Sequence, residues 1–162
     1  MHTIECLTAY FIEGFFMAGA GLSLLGIKLK IKKLMHIAFI YSFFVFIVRK
    51  IYITFKIHLG THAFILMFIL GMLIKLIAKQ NFLTGIIASL TSFLLLLWGE
   101  GVFLFPILNF FKIDIAILLN SKLGGTILAI LISDIVLITG FFIGYILNIT
   151  LIDFNSLKNI KL

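Results

Sequence analysis

Glu100 is the residue whose presence most needs a chemical reason. It lies between two glycines in LWGEGVFLFP, Leu97–Pro106, and it is the first charge in the run that starts at Phe82. An ionised group at the middle of a membrane helix costs roughly 2.5–3.5 kcal/mol on insertion scales, so it should face protein or water and not lipid. Two further acids interrupt apolar runs, Glu13 in EGFFMAGAGLSLLG and Asp134 in LISDIVL. Carboxylates so placed bind a solute or ion, carry protons, or join helices as neutral or hydrogen-bonded contacts.

Other reactive side chains point to less. His58 and His62 stand four apart in HLGTH, the spacing that puts two imidazoles on one helix face for a metal ion. The motif has no third ligand of its own and Gly60 lies inside it, so polar caps at a membrane interface are the preferred reading of the pair. Cys6 is the single cysteine, which excludes an internal disulfide; without a nearby base and orienting group it reads as a small apolar residue. Paired catalytic glutamates, a glycine-rich phosphate loop and a nucleophile elbow are all missing from the sequence. The expectation is a protein that is not an enzyme and needs no cofactor.

The elements that would hold these acids are membrane helices. Hydrophobic residues make up 63% of the chain and charged ones 12%, against about 45–50% and about 25% in soluble domains. With 162 residues there is room for five or six spans of about 20 residues and none for a second, soluble domain. The net charge of +7 would suggest nucleic acid in a soluble protein, but here the lysines flank apolar runs and read as topology signals. No cleavable leader is expected, since Met1–Ile12 carries Glu5 and no basic segment.

The hydropathy pattern predicts an all-α, polytopic membrane domain with five spans, at about 4–27, 34–48, 59–77, 82–105 and 123–151. In the first, Gly14, Ala18 and Gly21 share a face and Glu13 borders it. The second is only 15 residues long between charges, so Lys33 and Arg49 would snorkel to complete it, with 49–62 forming an interfacial turn. Gly85, Ser89, Ser92 and Gly99 form a stripe on the fourth, with Glu100 at its edge, and Pro106 is expected to close that helix. Residues 109–122, broken by Lys112, Asp114 and Asn120, read as an interfacial segment. On the fifth, Gly125, Ala129, Ser133, Gly140 and Gly144 make a stripe from which Asp134 falls well away.

Lysines and arginines in alternate connections number eight on one side and five on the other. By the positive-inside rule the N-terminus is outside and the C-terminus inside. Glu13, Asp134 and Glu100 then lie about nine, eleven and five residues below the outer ends of their spans, all in or near the outer half, and His62 enters from the same side near Arg49. Glu13, Arg49, His62, Glu100 and Asp134 are therefore the candidate ligand-binding residues, and the glycines beside Glu100 leave room for a neighbouring helix or a ligand.

The order EGFF, a lysine-rich first loop, VRKIYITFKIHLGTH, LLLLWGEGVF and a last span with a polar tail resembles the membrane sensor region of clostridial histidine kinases of the Agr-like, GHKL-ATPase type. The resemblance covers nearly the whole chain and rests on hydropathy with Glu13, Arg49, Gly60, His62 and Glu100. It implies a bacterial cell-membrane module that detects an outside signal, commonly a peptide, and relays it through the last helix to a cytoplasmic kinase. The 162 residues hold no phosphoacceptor-histidine motif and no ATP-binding domain. The expectation is therefore a sensor region that belongs to a longer chain or works through a partner, with a second copy as a further possible partner. The rival readings are a small transporter subunit, in which the acids bind a solute or carry protons, and a structural subunit in which they pair with another chain.

Overall fold

A computed structural model describes residues 2–55, 61–112 and 125–151. The described residues are helical, with no strand among them. The helices are α1, His2–Leu24; α2, Ile31–Thr54; α3, His62–Ala78; α4, Phe82–Gly99; α5, Phe105–Phe111; α6, Gly125–Ser133; and α7, Ile135–Phe141. Two π-helical turns extend them, Glu100–Leu104 between α4 and α5 and Phe142–Ile146 after α7.

The sequence builds these elements around α1. Its small residues let neighbours approach closely: Gly14 faces the Tyr41 ring and the Ala38 backbone of α2, while Gly21 meets the Ala88 carbonyl and Ser92 of α4. The Ser92 hydroxyl donates to the Met17 carbonyl of α1 at 2.6 Å. On another side α1 packs against α6, α7 and the second π-turn, and α3 packs outside, on α2 and α4. α1 stops by turning left-handed at Gly26 (φ 76°). There the Ile27 amide donates to the Leu22 carbonyl and the Gly26 amide to that of Ser23, which satisfies carbonyls the helix end leaves open.

The outward faces are apolar. Phe39, Phe43, Phe44, Ile47 and Ile51 of α2, and Phe64, Phe68, Met72 and Leu76 of α3, are all exposed. Water does not tolerate so large an apolar surface on a monomer, whereas lipid does. Among the described residues three helical rods are long and apolar enough to cross a membrane, Thr3–Leu24, Ile31–Thr54 and Phe82–Phe111. The pair Ile127–Ser133 and Ile135–Ile146, bent by 57°, makes a fourth if taken as one span; α3 is apolar but shorter, at 17 residues.

Several expected boundaries shift. α2 does not end at 48: it runs unbroken to Thr54, so Arg49 and Lys50 are helical and 49–54 is not a turn. The charge at Arg49 reads as a helix end in sequence, yet on α2 it meets a buried acid, and that pairing lets the helix continue. Pro106 does not close the fourth helix either, since the rod continues to Phe111. A proline ring collides with the carbonyl four residues back in a regular α-helix. Here the preceding turn is widened, with the Phe105 amide bonding to the Glu100 carbonyl, and Pro106 then falls in the first turn of α5 where its missing N–H leaves no gap. Asn109–Phe111 are consequently part of that helix and not of an interfacial segment; residues 113–122 lie outside the described ones.

Asp134 is the third revision. A straight helix would turn it away from the small-residue stripe, but the chain bends at Asp134 itself, with φ −83° and ψ 0°, so that Ser133 and Asp134 are both buried. Backbone bonds still bridge the bend, from the Asp134 amide to the Ile130 carbonyl and from the Ile138 amide to the Asp134 carbonyl.

Candidate functional site

Four elements bring polar side chains to one cavity. Glu13 comes from the middle of α1, Arg49 from α2, Glu100 from the first residue of the first π-turn, and Ser133 from the last residue of α6. Leu96, Leu104, Ala129 and Ile130 complete the wall, and the cavity holds about 140 Å³. A void with polar walls and that volume is large enough for several waters or a small ligand.

The charges within it are loosely matched. Arg49 Nη2 lies 3.8 Å from Glu13 Oε2, an attraction of opposite charges beyond hydrogen-bond length. The Arg49 guanidinium also stands over the Tyr10 ring, 4.6 Å from its centroid, a cation–π contact that helps hold the side chain in place. Tyr10 and Glu13 are three residues apart on α1, which is why one arginine reaches both. Neither Glu13 Oε2 nor Arg49 Nε has a hydrogen-bond partner. A polar separation above 3.5 Å, with space alongside, is the geometry into which a water or a ligand group fits.

Asp134 stands behind Ser133 and does not line the cavity, but it is within electrostatic reach of Glu13, Glu100 and Arg49. It is completely buried, and both its carboxyl oxygens lack hydrogen-bond partners. His62 also stays out of the cavity wall. Its ring lies 5.7 Å from that of Tyr52 on α2, whose hydroxyl accepts a hydrogen bond from Thr61 Oγ1 at 3.1 Å. Its link to the cavity is the nearby positive charge of Arg49. His58 lies outside the described residues, and among those described no group of three or more His, Cys, Asp or Glu side chains is arranged to hold a metal ion.

The glycines flanking Glu100 divide the two roles expected of them. A Cβ on Gly99 would fall 1.8 Å from the Ser133 carbonyl oxygen, whereas one on Gly101 would meet nothing within 4 Å. Gly99 is the helix contact, and Gly101 borders open space. The widened turn that begins at Glu100 has its hydrogen-bond ladder shifted by one residue, a local rearrangement frequent where a helix serves a site.

The sequence pattern does not single out Tyr10 or Tyr41, and it marks Ser133 only as a packing residue of the last span's stripe. Tyr10 and Ser133 belong to the site, Tyr10 by its i to i+3 spacing from Glu13 and Ser133 by its place beside Asp134. Tyr41, fully buried, donates its hydroxyl to Met17 Sδ at 3.7 Å and packs against Gly14, so it sets the α1–α2 spacing beneath Glu13.

No protein-family model, no curated protein and no solved structure matches this chain.

Proposed function

We propose that the chain is a non-enzymatic membrane sensor module. It receives a small extracellular ligand in the cavity of Glu13, Arg49 and Glu100 and relays its occupancy through the last helix to a cytoplasmic partner. The observation that carries this reading is that the cavity wall includes Ser133, the residue just before the 57° bend between α6 and α7. Whatever fills the cavity presses on the joint of the last helix, and a bend is an element with two arrangements that a ligand can bias. The reading includes five spans in a bacterial plasma membrane, with α3 completing the set, the N-terminus outside and the C-terminus inside. The uneven lysine distribution and the lysine cluster Lys28, Lys30, Lys32 and Lys33 support that orientation.

The test uses spin labels at Leu131 and Leu147, both exposed and on opposite sides of the bend, in a Cys6→Ser background in nanodiscs. Ala129→Leu adds volume inside the cavity without altering charge, and the label separation should shift. An unchanged distance distribution would sink the relay. In reconstituted vesicles given an acid pulse, the protein should pass no protons. Proton flux that disappears in Glu100→Gln would replace the sensor reading with that of a transporter subunit.

A further inference from the structure

Acid outnumbers base around the cavity. Glu13 and Glu100 line it and Asp134 lies within electrostatic reach, against the one guanidinium of Arg49. Glu13 is only 5% exposed, lines the cavity, and has an oxygen without a hydrogen-bond partner. Arg49 does not meet that need, since it stays 3.8 Å away and stands over Tyr10. Ser133 donates its own hydrogen bond to the Ile130 carbonyl at 2.9 Å, which leaves the lone pairs of its hydroxyl oxygen to accept another. Arg49 Nε also lacks a partner, but two carboxylates against one guanidinium make acceptors predominate among the charged groups of a wall whose Leu96, Leu104, Ala129 and Ile130 are apolar.

We infer that this cavity takes a small organic ammonium group, held between Glu13, Glu100 and the Ser133 hydroxyl, with its short alkyl part against Leu104 and Ala129. The inference rests on the ligand-receiving reading above and names the class of ligand. An ammonium group offers three donors to acceptors set apart from one another. A bound metal ion needs ligands converging within about 2.0–2.6 Å, and the described residues have no such cluster. An engineered cavity of about 150 Å³ holds a benzene ring, so the 140 Å³ here suits a ligand head of similar size.

The experiment is isothermal titration of the full chain in nanodiscs with butylammonium, butanol and butyrate, using empty nanodiscs as the blank. Butylammonium should bind at least about tenfold more tightly than butanol, as hydrogen bonds to charged groups add that much. Glu100→Gln should remove roughly that tenfold preference, and Ala129→Leu should abolish binding of all three probes by filling the space. Circular dichroism and thermal unfolding report whether each variant folds. If Glu100→Gln does not, Glu100→Asp keeps the charge, shortens its reach, and should weaken butylammonium while leaving butanol unchanged. Equal binding of butylammonium and butanol, or a preference for butyrate, would overturn the ammonium assignment and leave the ligand-receiving reading intact. No binding of any probe to the folded wild-type chain would overturn both.

Discussion

Gly99 and Ser133 touch backbone to backbone, so closely that a Cβ on Gly99 would lie 1.8 Å from the Ser133 carbonyl oxygen. The contact joins the end of α4 to the end of α6, one residue from Glu100 on one side and from Asp134 on the other. Gly99→Ala forces the two helices apart and should destabilise the fold by about 3 kcal/mol or more, the upper range for overpacking. Gly101→Ala meets open space and should be neutral, or stabilising by up to about 1 kcal/mol through helix propensity. Thermal unfolding of the two variants in nanodiscs checks the contrast; equal effects would contradict the packing.

The Glu13–Arg49 attraction spans 3.8 Å with Arg49 about 33% exposed, so its strength falls below that of a fully buried pair. Glu13→Gln and Arg49→Gln should each destabilise by about 1–2 kcal/mol, less than the 3–5 kcal/mol of breaking a deeply buried pair. A double-mutant cycle should return a coupling of about 1 kcal/mol. Additive effects would mean that the two side chains do not sense each other.

The bend at Asp134 has no side-chain cap. Asp134→Asn should therefore leave the bend as it is, whereas Gly99→Ala, which displaces Ser133, should alter it. Electron-spin distances between labels at Leu131 and Leu147 discriminate: a shift in the asparagine variant with none in the alanine variant would reverse the assignment.

At the opposite end of the bundle, Lys28 Nζ donates to the Tyr145 carbonyl at 2.6 Å and to Asn148 Oδ1. The Tyr145 hydroxyl donates to the Leu29 carbonyl at 3.1 Å, and the Leu151 amide donates to that of Leu24 at 2.8 Å. Lys28→Met should cost about 1–2 kcal/mol, and Tyr145→Phe about 1 kcal/mol. The measurement is hydrogen exchange: in Lys28→Met the amides of 147–151 should lose protection while those of α4 keep theirs.

Much of this arrangement is legible in the sequence. Apolar runs of span length reveal the helices. The topology expected from the sequence puts Glu13 and Glu100 at similar depth with Arg49 nearby, and the structure gathers these three around one cavity. What stays hidden is hidden for a physical reason. A charge such as Arg49 marks a helix end unless its partner is known, and Glu13 is distant in sequence. A helical wheel assumes one period throughout, so it misses the extra residue of the π-turn that admits Pro106 and the bend that turns Asp134 inward. His62 illustrates the converse, because depth places it near Arg49 but only the fold reveals that its ring packs on Tyr52.

The central position of α1 has a consequence for biosynthesis. α1 leaves the ribosome before the helices that complete its packing, since its Met17 carbonyl waits for Ser92 and its Gly19 for the Phe141 ring. Of the described helices that pack on α1, α2 is the first to arrive. Arg49, the basic side chain that faces Glu13, arrives with the very next helix. The nascent hairpin of α1 and α2 can shelter that acid in the bilayer before Glu100 and Asp134 are made.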